Sequence, residues 1–101
     1  MKPSLLAATL CLATAAGSAA AQDANLARNL AATCANCHGT NGKALPGTGL
    51  EALAGSDRQK LAQKFKDFRS GVKPATIMHQ IAKGYSDEQI DLIAGYFAAQ
   101  K

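Results

Sequence analysis

The run Cys34-Ala35-Asn36-Cys37-His38 holds the side chains whose types and spacing indicate chemistry most directly. Two thiols three positions apart, followed at once by an imidazole, are the pattern for covalent attachment of a c-type haem. Each thiol adds to one vinyl group of the porphyrin, and the histidine then lies under the macrocycle as an iron ligand. The sequence therefore predicts one covalent haem c, bound through Cys34, Cys37 and His38.

Three other kinds of site use a similar pattern, and the rest of the chain disfavours each of them. A structural zinc site needs about four protein ligands, and outside this run only Cys11 and His79 remain. A redox-active cysteine pair is expected beside a βαβ unit, and the sequence shows no strand-like alternation. A plain Cys34–Cys37 disulfide would leave His38 unexplained.

The first 21 residues are typical of an export signal. Lys2 supplies a positive charge, residues 5–16 are apolar, and the small residues 19–21 form a cleavage site. The apolar stretch is shorter than the about 20 residues of a membrane span. Export also suits the haem, because bacterial c-type haem is attached outside the cytoplasm. We therefore predict a signal peptide over residues 1–21, a monohaem domain over residues 22–101 and a periplasmic location.

A lipid anchor on Cys11 is the alternative fate of this leading segment. Lipoprotein signals usually carry a small residue before the modified cysteine, and Leu10 stands there instead. Cleavage is therefore the favoured prediction.

The predicted mature chain is small and mildly basic. Removing 21 of the 101 residues leaves 80, with 10 Lys and Arg against 7 Asp and Glu, a net charge of +3. This balance is too weak to indicate nucleic-acid binding. A chain of this length buries little apolar surface and usually needs a covalent or metal staple. A haem supplies one, so we expect the chain without haem to be largely unfolded.

Helical periodicity predicts an all-α fold of short helices wrapped around the haem. Leu26, Leu30 and Cys34 share one face of a first helix, which Asp23 or Asn25 could cap. The glycine-rich segment after the haem motif, residues 39–49, then predicts an irregular loop.

Capping and stop signals predict three further helices. Ser56 and Gln59 have the form of a capping box, and Gly71 stops the helix that follows. One or two helical turns run from Thr76 towards Gly84. The last helix begins at a second capping box, formed by Ser86 and Gln89. The inner stripe of the helix after Ser56 is Leu61, Phe65 and Phe68. The inner stripe of the last helix is Ile90, Ile93, Ala94 and Phe97.

Met78 is the predicted iron ligand opposite His38. Met1 belongs to the signal, so Met78 is the remaining thioether, a soft ligand that raises the reduction potential and suits an electron carrier. His79 is the rival. Adjacent helical residues point about 100° apart, so the two side chains cannot both face the iron. If neither binds, the iron is open to small ligands such as carbon monoxide.

With these residues in hand, the chain resembles the class I cytochromes c. The resemblance covers nearly all of the predicted mature region, and it implies that the first and last helices cross, with Tyr96 at the crossing. The chain is also similar to the haem subunit of flavocytochrome c sulfide dehydrogenase, in which the methionine that matches Met78 is the axial ligand. The segments that carry this narrower likeness are Phe68-Arg69-Ser70-Gly71, Thr76-Ile77-Met78, Ile81-Ala82-Lys83-Gly84-Tyr85-Ser86 and Ala94-Gly95-Tyr96-Phe97.

The chain departs from this family at one position after the haem motif. Family members usually place a proline there, next to an apolar residue, and its carbonyl holds the ligand histidine. Glu51 stands at that position here, before Ala52 and Leu53, while Pro46 comes earlier. The sequence therefore leaves open which group binds Nδ1 of His38, a contact that orients the ring and tunes the iron.

The resemblance implies a periplasmic electron-transfer protein that is not an enzyme by itself. It would accept single electrons from an FAD-containing sulfide dehydrogenase subunit and pass them to another cytochrome or an oxidase. A free-standing carrier is the first alternative, and an open-site haem enzyme or gas sensor is the second. A ring of lysines at the haem edge would favour transient docking, but the lysines of the chain are equally well explained by solvated helix faces: Lys60, Lys64, Lys66, Lys73 and Lys83.

Overall fold

The computed structural model describes residues 25–101, and regular structure within that range is helical throughout. The predicted all-α class is therefore confirmed. The predicted signal peptide, its cleavage site, Cys11 and Asp23 lie outside the described residues. The helices are α1 Leu26–Ala32, α2 Ala35–His38, α3 Arg58–Ser70, α4 Met78–Ala82 and α5 Asp87–Ala98, with a 3₁₀ turn at Thr40–Gly42.

Helix α5 supplies the centre of the core. Its predicted inner stripe is confirmed, since Ile90, Ile93, Ala94 and Phe97 are each at most 1% exposed. The helix packs against both α1 and α3, and α4 packs against α3. None of the helices between residues 25 and 101 has the length and apolar character that a membrane span requires.

Helix α3 presents its predicted stripe to α5 but begins one residue later than predicted. Leu61 and Phe65 are buried, and Phe68 is partly buried against them. The N-cap is Asp57, whose carboxylate accepts a hydrogen bond from the Lys60 backbone N–H at 2.9 Å. The predicted capping box of Ser56 and Gln59 is therefore wrong, because Asp57 keeps an extended backbone and caps the helix itself.

The other helix boundaries follow the predicted signals in part. Gly71 ends α3 in the left-handed region with φ of +84°, and both reciprocal hydrogen bonds of the Ser86–Gln89 capping box are present. Helix α4 begins at Met78, two residues after the predicted start. Asn25 is the N-cap of α1, but its side chain makes no capping hydrogen bond.

Helix α1 ends at Ala32, before it reaches the first cysteine of the haem motif. Thr33 follows as the C-cap, and its hydroxyl donates to the Leu30 carbonyl at 3.2 Å. The buried residue of α1 is Ala31, whereas Leu26 is 39% exposed. The predicted stripe through Leu26, Leu30 and Cys34 is therefore interrupted, because Cys34 lies in the turn that reorients the chain into α2.

Long-range hydrogen bonds fix the helices around the motif. Tyr85 and Thr33 share one between their hydroxyls at 2.9 Å, and the Tyr96 hydroxyl donates to the Asn41 amide oxygen at 2.6 Å. Tyr96 also lines a small surface cavity with Ala31 of α1, which agrees with its implied place where α1 meets α5.

A charged contact joins the end of α3 to the start of α5. Arg69 donates to the Tyr85 carbonyl at 3.0 Å and pairs with the Asp87 carboxylate. The hydrogen bond from Arg69 lowers the pKa of the Asp87 carboxyl below its usual value.

Gly42 is the closest approach between the loop after the haem motif and α5. A Cβ added there would lie 2.7 Å from Phe97 Cδ1 and 2.8 Å from the Ala54 nitrogen, and its φ is +75°. We expect Gly42→Ala to lower the free energy of unfolding by about 2 kcal/mol or more, through overpacking and backbone strain. The measurement is denaturant unfolding of the haem-loaded protein.

Gly71→Ala is the matched control for this substitution. Gly71 has a similar φ of +84°, but nothing lies within 4 Å of an added Cβ. We expect it to cost only the left-handed backbone penalty of about 1 to 2 kcal/mol. Equal losses in the two variants would contradict the close approach at Gly42.

Candidate functional site

An apolar cavity opens between α2, the loop after it, and helices α3, α4 and α5. About 510 Å³ of space here is not occupied by protein atoms, a figure that includes the part open to solvent. The lining combines one imidazole and one thioether with mostly apolar side chains: His38, Glu51, Leu53, Leu61, Lys64, Phe65, Phe68, Met78, Ile93 and Phe97.

His38, the last residue of α2, is held by one backbone contact. Its Nδ1 lies 2.6 Å from the Glu51 carbonyl oxygen. A carbonyl oxygen can only accept, so Nδ1 carries the proton and donates it. The lone pair of Nε2 is then available for a metal, and the ring orientation is fixed. The group that the sequence left open is therefore the Glu51 carbonyl, which takes the place of the family's usual proline carbonyl.

The two cysteines of the motif lie within one helical turn of each other. Cys34 is the N-cap of α2, and its carbonyl accepts from the Cys37 and His38 backbone N–H groups at 3.3 and 2.9 Å. The thiols are not joined in a disulfide. Burial raises the pKa of the Cys34 thiol above its usual value, while Cys37 is exposed.

Met78 and His79 differ in the way that the helical geometry predicts. Met78, the first residue of α4, lines the same cavity as His38, whereas the cavity lining does not include His79. The Nδ1 atom of His79 is buried and has no hydrogen-bond partner among the described residues. Of the two rival ligands, the structure brings Met78 together with His38.

Lys64 is a site residue that the sequence did not single out. Its Nζ lies 2.6 and 2.7 Å from the two carboxylate oxygens of Glu51 at the edge of the cavity. It lies three residues after Leu61 on α3, and the sequence pattern predicts a solvated helix face for it. The sequence feature that could have indicated a place at the site is that Lys64 borders the apolar stripe of Leu61, Phe65 and Phe68 on α3.

The residues of the cavity fit a haem. Leu61, Phe65 and Phe68 provide apolar walls, His38 and Met78 provide nitrogen and sulfur donors, and the motif cysteines lie beside His38 in α2. Imidazole and thioether are a donor pair that suits haem iron. Within residues 25–101, no three His, Cys, Asp or Glu side chains cluster in a way that could hold a bare metal ion.

Comparison with known proteins decides the family. The chain is 33% identical to cytochrome c-553 of Nitratidesulfovibrio vulgaris over 102 aligned residues, which cover 97% of this chain and 98% of that protein. The chain belongs to the class I c-type cytochromes. It therefore carries a covalently attached haem c, as the Cys34 and Cys37 thiols predict. No protein-family model matches it.

Two other relatives of this cytochrome carry more specific names. The cytochrome subunit of sulfide dehydrogenase from Chlorobaculum tepidum is 37% identical over 67% of this chain. A thiosulfate dehydrogenase electron acceptor from Stutzerimonas stutzeri is 38% identical over 68% of this chain. The chain spans 60% of the first protein's length and 32% of the second's.

Proposed function

We propose that His38 and Met78 are the axial iron ligands of this cytochrome and that Cys34 and Cys37 form the two thioether bonds. The observation that carries this assignment is the shared cavity, in which Met78 lies with a His38 ring whose Nδ1 is already bound to the Glu51 carbonyl. The proton on Nδ1 leaves Nε2 as the donor atom towards the cavity.

Each protein group then has a separate part in electron transfer. The bound haem supplies an iron that exchanges one electron at a time. The Met78 thioether favours the ferrous state and raises the reduction potential, while His38 is kept in one orientation by Glu51. The apolar walls from α3 and α5 exclude water, which limits the reorganisation that accompanies a change of charge. No side chain beyond these is needed, because the cytochrome itself does not alter a substrate.

The proposed physiological role is that of a periplasmic haem subunit in a sulfide-oxidising complex. An FAD-containing sulfide dehydrogenase subunit would oxidise sulfide and pass electrons singly to this cytochrome, which would deliver them to a downstream cytochrome or oxidase. Support comes from the similarity to a sulfide dehydrogenase cytochrome subunit and from the Met78-to-Phe97 segments of the sequence. Residues 1–21 would be the cleaved export signal and residues 22–101 the haem domain.

Gentle purification from the native periplasm tests this role. We expect FAD to co-purify at about one per haem, and added sulfide to bleach the flavin and reduce the haem. The control is the same preparation after the flavin-bearing fraction has been separated, in which sulfide should reduce the haem only slowly. A flavin-free cytochrome from a gentle preparation, unreduced by sulfide, would contradict the subunit role.

A free-standing carrier is the second candidate. It is favoured by the full-length match to cytochrome c-553 and by the similarity to a thiosulfate dehydrogenase electron acceptor. In that case the protein would dock transiently on its donor, and its reduction rate would fall with rising salt. A stable complex with an apolar interface would show a much weaker salt dependence.

A further inference from the structure

Glu51 joins three parts of the haem site through two separate contacts. Its backbone carbonyl accepts the His38 Nδ1 proton at 2.6 Å. Its carboxylate holds Lys64 Nζ with both oxygens, at 2.6 and 2.7 Å. Lys64 lies in the middle of α3, the helix that provides Leu61, Phe65 and Phe68 to the cavity. One residue therefore links α2, the loop and α3.

The backbone around Glu51 has little other support. Residues 51–53 have no regular secondary structure. A glutamate also lacks the ring with which proline fixes its own φ. Two backbone anchors flank Glu51. The Leu50 N–H donates to the Thr48 hydroxyl at 3.3 Å, within the same loop, and the Leu53 N–H donates to the Gly42 carbonyl at 2.8 Å. The side-chain contact with Lys64 is the restraint that connects Glu51 itself to helix α3.

The Glu51–Lys64 pair is more suited to positioning than to stabilisation. The side chains of Lys64 and Glu51 are 32% and 57% exposed, and ion pairs this exposed contribute little to the free energy of unfolding. A short contact to both carboxylate oxygens does restrict the side chain geometrically. The hydrogen bond to His38 Nδ1, in turn, governs the ring orientation and the donor strength of Nε2.

We propose that Lys64 is a positioning residue of the haem site: by holding the Glu51 carboxylate, it fixes the carbonyl that orients His38. This inference rests on the proposed ligation of iron by His38. In this role, a lysine on the surface of α3 preserves the contact between His38 and the backbone carbonyl, although glutamate stands where the family usually has proline.

The test follows the His38 Nδ1 proton in the ferrous, haem-loaded protein by proton NMR. We expect Lys64→Gln to speed its exchange with water by about fivefold, the factor that corresponds to one net hydrogen bond. Glu51→Gln keeps the backbone carbonyl but loses the ion pair, so it should give the same effect. The double variant should be no faster than either single variant, because the two residues act through one contact.

Two variants separate positioning from general charge or stability effects. Lys66→Gln removes the same charge from the same helix, but Lys66 pairs with Asp91 at 3.6 Å instead, so His38 exchange should be unchanged. Lys64→Arg retains a bidentate contact and should restore the wild-type rate. The Leu53 amide proton serves as an internal reference, since a general loosening of the fold would speed its exchange equally.

The outcomes distinguish this inference from the proposed ligation. A wild-type spectrum without haem-shifted resonances of both His38 and Met78 would overturn the ligand assignment and this role with it. Intact ligation, with unchanged His38 exchange in Lys64→Gln and Glu51→Gln, would overturn the role of Lys64 alone. Equal acceleration at Leu53 would likewise overturn it, because the effect would then be one of stability.

Discussion

Replacing Met78 with alanine is expected to open the iron to external ligands. The ferrous variant should bind carbon monoxide at once, whereas the wild type should resist it, because a six-coordinate His–Met iron has no vacant position. The reduction potential should fall by on the order of 0.1 V, a fraction of the roughly 0.8 V range that axial ligands control. The measurements are carbon monoxide titration by absorbance and a redox titration of the purified cytochrome.

Two further variants make this result specific to the thioether. Met78→His should also lower the potential, but it should keep carbon monoxide out, because imidazole restores the sixth ligand. His79→Ala should change neither property, since His79 does not line the cavity that contains His38. If His79→Ala opened the iron and Met78→Ala did not, His79 would be the ligand. A wild type that bound carbon monoxide freely would favour the open-site alternative.

The candidate site was predictable from the sequence where local spacing alone determines it. The residue types of the Cys34–Cys37–His38 run and of Met78, the one methionine after the predicted signal, indicate haem ligation directly. Adjacent helix positions then separate Met78 from His79. The α5 stripe was predictable for the same reason, since its 3.6-residue period needs no knowledge of the neighbouring helices.

Features that depend on residues distant in sequence were not predictable. The partner of His38 is the carbonyl of Glu51, 13 residues away. The family resemblance pointed to this position, but the side-chain pattern alone gives no signal, because any residue has a carbonyl. The Tyr85–Thr33 and Tyr96–Asn41 hydrogen bonds span 52 and 55 residues. Such pairs exist only once the helices have been packed together.

One error was local and has a different cause. Ser56 and Asp57 are both good N-cap residues, and the capping-box pattern favoured Ser56. The choice depends on where the chain leaves the preceding loop, and there the Gly55 N–H is bound to the Phe97 carbonyl at 2.9 Å. That tertiary contact, which sequence spacing does not report, fixes the approach to α3.

Replacing both motif cysteines with alanine is expected to abolish the covalent haem and most of the fold. Of the five α-helices between residues 25 and 101, three have only 7, 4 and 5 residues, and isolated helices shorter than about 12 to 15 residues are marginal in water. Without the haem, Leu61, Phe65 and Phe68 would line an unfilled apolar cavity that is open to solvent. The packing that holds the short helices would then be lost.

Far-ultraviolet circular dichroism and a haem stain after denaturing electrophoresis measure the two effects together. Cys34→Ala/Cys37→Ala should show no stain and should lose most of its helical signal, without a cooperative unfolding transition. Asn36→Ala lies between the cysteines in α2 and leaves the motif intact, so it should keep both the stain and the transition. A haem-free chain that still unfolds cooperatively would mean that the core, with nine buried apolar residues in the described part of the chain, suffices on its own. The loss of both together would instead make the haem a structural part of the core as well as the electron carrier.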